Sequence, residues 1–224
     1  MGGYFIYLLL ILIIPLWAQG KVRSAYSKYS KKPTSSQMTG AEVARKILDE
    51  NGLYHVNIEQ TKGTLTDHYD PRSKVVRLSP DIYHGRSMAS SAVAAHEVGH
   101  AIQDQEDYAF LRFRSALVPA ANLGSNLAFV LIVIGLFLGS AGWFLLGILF
   151  FSAAVLFQLV TLPVEFDASN RAMTQLISTG IIRNEEERET KKVLDAAALT
   201  YVAAALVAVL ELVRFILLFL NSRE

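Results

Sequence analysis

Residues 115–164 read SALVPAANLGSNLAFVLIVIGLFLGSAGWFLLGILFFSAAVLFQLVTLPV, and this whole stretch carries no charged side chain. An α-helix rises about 1.5 Å per residue and needs about 20 apolar residues to cross a bilayer core of about 30 Å, so the run suffices for two spans. Gly139-Ser140-Ala141-Gly142 supplies a tight turn near its middle, and the stretch reads as a membrane hairpin.

Two more apolar runs lie farther out. Residues 1–20 carry no charge and are long enough for a first span. Their cationic flank (Lys21, Arg23, Lys28, Lys31, Lys32) follows the apolar run, the reverse of a cleaved signal peptide, and Ile6 does not fit a myristoylation motif. Residues 193–220 form a fourth span, entered from a charged segment in which Asn184 is the expected N-cap and Glu185, Glu186 and Glu187 occupy the first helical turn. Within span four, Glu211 and Arg214 are three apart and are expected to pair with each other.

The composition fits a membrane protein with a polar part: 52% hydrophobic residues, 18% charged and a net charge of +1. All but two of the 21 Lys and Arg lie between spans one and two or between spans three and four, the exceptions being Arg214 and Arg223. The positive-inside rule makes both polar segments cytoplasmic and puts the termini and the hairpin tip outside. The expected division is a span at 1–20, a cytosolic domain at 21–115, the hairpin at 116–162, a cytosolic segment at 163–192 and the last span at 193–221.

Just before the hairpin stands His96-Glu97-Val98-Gly99-His100. Residues 87–103 read as one helix with Ser87 as N-cap and no proline inside, so His96 and His100 lie one turn apart on one face and can both reach a single metal ion. Glu97 is displaced about 100° around the helix, beside such a metal, where it can act as general base and then as proton donor to a leaving amine. Two histidines four apart can instead be polar residues on a wet face, but the uninterrupted helix around them favours the metal site. A catalytic zinc needs a third protein ligand, and the chain contains no Cys. Just after the hairpin comes Pro163-Val164-Glu165-Phe166-Asp167-Ala168, and four-span topology returns it to the membrane face of the histidines. Glu165 is the expected third ligand. Asp167 is its competitor, or else a carboxylate that orients a ligand histidine.

The runs Ser91 to Gln103 and Leu162 to Ser169, together with Thr39 to Ala44, Leu65 to Pro71 and Ala196 to Tyr201, resemble the YugP-type membrane zinc metallopeptidases of bacteria over nearly the whole chain. The layout is more distantly similar to the HtpX and CaaX-prenyl-protease group. The resemblance implies a zinc-dependent protease with one Zn²⁺ per chain, ligands His96, His100 and Glu165, and Glu97 as catalytic base. In the distant group an Asp commonly stands four residues after the ligand Glu; here that position is Ser169.

The expected fold is α+β: a small cytosolic zincin-like domain on a four-span helical bundle. Thr39 and Glu42 have capping-box spacing, opening a short amphipathic helix that stops at Asn51-Gly52. Residues 56–60, 64–69 and 74–78 read as short strands. The strand at 74–78 is either a plain structural strand or an edge that pairs with extended substrate. His68, Tyr69 and Arg171 are the candidates for stabilising an oxyanion.

Three functional classes follow: a zinc endopeptidase at the cytoplasmic membrane face acting on proteins or peptides, membrane-protein segments and misfolded proteins among them; an intramembrane-cleaving protease; and a non-catalytic scaffold with a structural zinc. The charged flanks Arg86, Asp104, Glu106 and Asp107 disfavour the second, because they hold the histidine helix out of hydrocarbon. Glu97 disfavours the third, since a structural site needs no base. The partners implied are a polypeptide substrate and the lipid bilayer; no nucleotide-binding glycine loop or nucleic-acid patch is present.

Overall fold

The computed structural model describes residues 2–221. Helix α1 (Gly2–Tyr29) is followed by α2 (Gly40–Glu50), strands β1 (Asn57–Gln60), β2 (His68–Asp70) and β3 (Val75–Leu78), a one-turn α3 (Pro80–Tyr83), α4 (Met88–Gln105), and three long helices, α5 (Ala109–Phe137), α6 (Ala141–Ser178) and α7 (Glu185–Asn221). The protein is mostly helical, and α1, α5, α6 and α7 are each long and apolar enough to cross a membrane. Each exceeds its apolar run. In particular α6 does not stop at Pro163 but continues to Ser178 with the proline inside it, so Glu165 is a helical residue rather than part of a connecting loop.

The chain divides into two compact units, one formed by residues 2–17, 109–163 and 201–221, the other by 18–108 and 164–200. In the first, small residues let backbones approach closely. A Cβ on Gly135 would lie 2.5 Å from the Phe144 backbone nitrogen, and one on Gly147 would lie 2.6 Å from the Ile132 side chain; such contacts replace the hydrophobic driving force that helices lack in lipid. Arg214 and Glu211 pair at 3.4 Å, and the Arg214 guanidinium sits 5.1 Å from the centre of the Tyr7 ring.

The second unit is built around a core of α2 (Val43, Ile47, Leu48), β3 (Val76, Leu78) and α4 (Ala92, Ala95, Val98), closed by Ala172 and Leu176 of α6 and Leu194 of α7. Helix α2 starts at the expected capping box: the Thr39 hydroxyl accepts from Glu42 N–H, and the Glu42 carboxylate accepts from Thr39 N–H at 2.7 Å. Those hydrogen bonds hold the Glu42 carboxyl below its ordinary pKa. Asn184 departs from its expected role: it has a φ of 50°, outside the extended conformation an N-cap adopts. The Glu186 carboxylate takes the Arg183 N–H at 3.0 Å and ties α7 to the linker after α1 through the N–H and hydroxyl of Ser35.

The sheet has the order β1-β3-β2, with β1 parallel and β2 antiparallel to β3. Strand β3, at 74–78 in the expectation, is therefore central; its backbone is paired on both sides and offers no edge to a substrate. The edge strands are β1 and β2. β2 is also shorter than expected, because Gly63 and Leu65 take positive φ of 103° and 56° and Asp67 turns its carboxylate to the N–H and hydroxyl of buried Ser79 instead of joining the ladder.

Candidate metal centre

Helix α4 begins at the expected cap, with the Ser87 hydroxyl accepting from the Ser90 N–H at 3.1 Å. One turn apart on α4, the rings of His96 and His100 lie 4.8 Å apart, nearly perpendicular to each other. Gly99 between them lets α6 come close: a Cβ there would stand 2.6 Å from the Ala168 carbonyl oxygen. The turn of α6 just before that crossing carries Glu165, which is only 2% exposed. Its Oε2 lies 3.2 Å from His96 Nε2 and 3.6 Å from His100 Nε2.

These separations test whether the three residues fit a metal. Tetrahedral coordination with bonds of about 2 Å places neighbouring donor atoms about 3.3 Å apart, and the two observed distances bracket that value. Both imidazoles turn Nε2 inward and Nδ1 outward. Among the described residues, this trio is the group of His and carboxylate side chains whose donor atoms, all within 4.8 Å of one another, could hold an ion. Burial works against a charged imidazole at His100, but the carboxylates of Glu165 and Glu97 outweigh it and raise the His100 pKa above its ordinary value.

A second layer of polar groups holds the trio. His96 Nδ1 meets the Ser169 hydroxyl at 3.2 Å, and His100 Nδ1 meets Gln103 Oε1 at 3.0 Å. Gln103 in turn donates to the Val164 carbonyl and to Asp167, each at 2.8 Å. Glu97, 9% exposed, accepts the backbone N–H of Tyr69 at 3.0 Å, so β2 lies directly against the candidate base. The Tyr69 hydroxyl and Lys74 converge on buried Asp104 at 2.7 and 2.5 Å, fastening β2 and the start of β3 to the end of α4.

Residues 4–220 match the family described as "Putative neutral zinc metallopeptidase". The chain belongs to that family. A Bacillus subtilis (strain 168) relative named "Putative membrane protease YugP" is 56% identical over 211 residues, which cover 94% of each of the two chains. No solved structure matches this chain. Membership in a zinc metallopeptidase family implies zinc as the metal, and the donor set of two imidazoles and a carboxylate suits that ion.

For this member of the family the structure sorts the other residues singled out from sequence. Asp167 lies outside the trio; its Oδ2 takes Gln103 and, at 2.5 Å, Arg171 Nε. It reaches His100 through Gln103. Arg171 is spent on Asp167 and on Glu106 at 2.7 Å, and the Tyr69 hydroxyl on Asp104. His68 is exposed on β2 with Nδ1 against the Thr66 carbonyl oxygen at 2.8 Å, so of the three oxyanion candidates it is the one whose polar group is not bonded to a carboxylate. Sequence reasoning missed Gln103, the contact of Ser169 with His96 and the backbone of Tyr69. Helical spacing signals the first two, since Gln103 follows His100 by three and Ser169 follows Glu165 by four. The Tyr69 N–H has no sequence signal.

Proposed function

We propose that this protein is a membrane-embedded, zinc-dependent endopeptidase that hydrolyses peptide bonds at the cytoplasmic face of the cell membrane, with His96, His100 and Glu165 as the ligands of one zinc ion and Glu97 as the general base. The observation that carries the reading is the convergence of two histidine Nε2 atoms and a buried carboxylate from another helix, with Glu97 beside them. Zinc bound there would polarise both a water and the scissile carbonyl.

The chain's own residues supply the remaining chemistry. Glu97, oriented by the Tyr69 N–H, takes a proton from the attacking water and returns it to the departing amine nitrogen. The strand suited to hold an extended substrate by its backbone is β2, an edge strand beside Glu97, in place of the central β3. The stabilisation of the developing oxyanion is assigned to His68 on that strand, because of the three candidates it is the one whose polar group is not bonded to a carboxylate. The polar segments 21–115 and 163–192 form the cytosolic zincin-like part, and the spans 1–20, 116–162 and 193–221 anchor it.

The deciding experiment is metal analysis of purified wild type and Glu165→Ala, with cleavage of an unfolded protein followed in parallel. One zinc per wild-type chain and a loss of both zinc and cleavage in the variant are expected. Undiminished zinc in Glu165→Ala would remove Glu165 from the ligand set.

A further inference from the structure

We propose that Gln103 is a positioning residue of the metal centre, whose single carboxamide sets the tautomer of His100 and fixes the turn of α6 that carries Glu165. The inference rests on the ligand set proposed above.

A carboxamide has one acceptor oxygen and a nitrogen with two N–H donors. Gln103 has no exposed surface, so its polar groups must find partners within the protein. On the nitrogen side both neighbours are acceptors: the Val164 carbonyl oxygen and Asp167 Oδ2, each at 2.8 Å. The same Asp167 Oδ2 also accepts from Arg171 Nε at 2.5 Å, so the atom facing the amide is an acceptor. Rotating the amide by half a turn would set its oxygen against two acceptors, so only one orientation is stable. In that orientation Oε1 faces His100 Nδ1 at 3.0 Å. An acceptor there favours a proton on Nδ1 and is opposed, in the metal-free site, by the Glu165 carboxylate facing Nε2; with that carboxylate given over to a metal, the lone pair of the neutral ring is left on Nε2.

His96 contrasts with this. Its Nδ1 meets the Ser169 hydroxyl, which can donate or accept and so selects no tautomer. Gln103 also has a second effect. Val164 and Asp167 flank Glu165 in sequence, so the two N–H bonds clamp the backbone and side chain of that turn to the end of α4. One amide thus prepares two of the three ligands, and Asp167 with Arg171 serves to hold the amide.

The test uses the full-length protein in detergent, labelled with ¹⁵N-histidine and carrying Glu165→Ala so that this carboxylate no longer faces Nε2, stripped of metal and held near pH 9 so that the imidazoles are neutral. The His100 ring signals are assigned by their absence when His100→Gln is added. With Gln103 present, His100 is expected as the Nδ1–H tautomer. Adding Gln103→Met, which keeps the length but has no donor or acceptor of that kind, should shift the population toward Nε2–H, and in the otherwise wild-type chain Gln103→Met should raise the zinc Kd, from competition with a chromogenic chelator, about 10- to 100-fold. A His100 found as Nε2–H with Gln103 present overturns the proposal. So does a Gln103→Met protein whose zinc Kd stays within about threefold of wild type. Should Gln103→Met not fold, the tautomer with Gln103 present still decides. Failure of the ligand assignment has a different signature: wild type would then bind zinc no more tightly than His100→Ala, whatever the tautomer.

Discussion

Glu97 is the residue at which fold and chemistry are most separable. Its carboxylate bonds to a backbone N–H, so Glu97→Gln can keep that contact and is expected to leave the metal bound. Hydrolysis should nevertheless fall by about 10²- to 10⁴-fold, because the amide cannot take the proton of the attacking water. Cleavage at near wild-type rate by a variant with confirmed zinc content would transfer the role of base elsewhere. The proposed ligands His96 and His100 predict a pH dependence with a definite sign. Protons compete with the metal for Nε2, so zinc affinity should fall as pH drops, by about tenfold per unit for each histidine below its pKa. The raised pKa of His100 moves the onset of this loss above the ordinary imidazole value of about 6.5. The metal-free protein responds oppositely: a pKa raised in the fold contributes stability that is complete below the unfolded value and is lost as pH rises through the folded one. Zinc titrations between pH 5 and 8 check the first trend, and melting curves of the stripped protein check the second. A zinc affinity independent of pH would exclude both histidines as ligands.

At the level of elements, the metal centre depends on how closely α4 and α6 cross. Gly99 permits that crossing, and Gly99→Ala would press a methyl group into the Ala168 carbonyl oxygen at 2.6 Å. One helix must then give way, at a cost of about 1–3 kcal/mol. Because the displaced turn lies next to Glu165, zinc affinity should fall together with the melting temperature. An alanine variant with unchanged melting and zinc binding would show that the crossing is not tight. The capping box of α2 offers the complementary case, since Thr39→Ala should cost about 1 kcal/mol in stability while leaving zinc affinity unaltered. Both helix starts, at Thr39 and Ser87, were legible from local hydrogen-bonding chemistry. The strands were less so. Whether 74–78 is an edge or a centre depends on which strand crosses over which, and no residue within those five encodes that order.

At the scale of the whole molecule, the asymmetry of Lys and Arg predicts that both polar segments face the cytoplasm and the Gly139–Gly142 turn faces outside. Cysteine labelling in intact cells tests this directly, because the chain has no native cysteine to interfere. Ser140→Cys should react with an impermeant reagent and Ser35→Cys should not; labelling of Ser35→Cys from outside would overturn the arrangement. What the sequence by itself determined was what period and charge along one helix govern: the four apolar runs, the setting of His96 and His100 on one face and the pairing of Glu211 with Arg214. Only the tertiary structure decided which groups from separate elements meet. It led α6 unbroken through Pro163, because helix geometry and packing outweighed one lost hydrogen bond. It placed β3 in the middle of the sheet and β2 against Glu97, and it joined Asp167 to His100 through Gln103. Such contacts depend on the separation and rotation of two elements at once, quantities that no local pattern of side chains specifies.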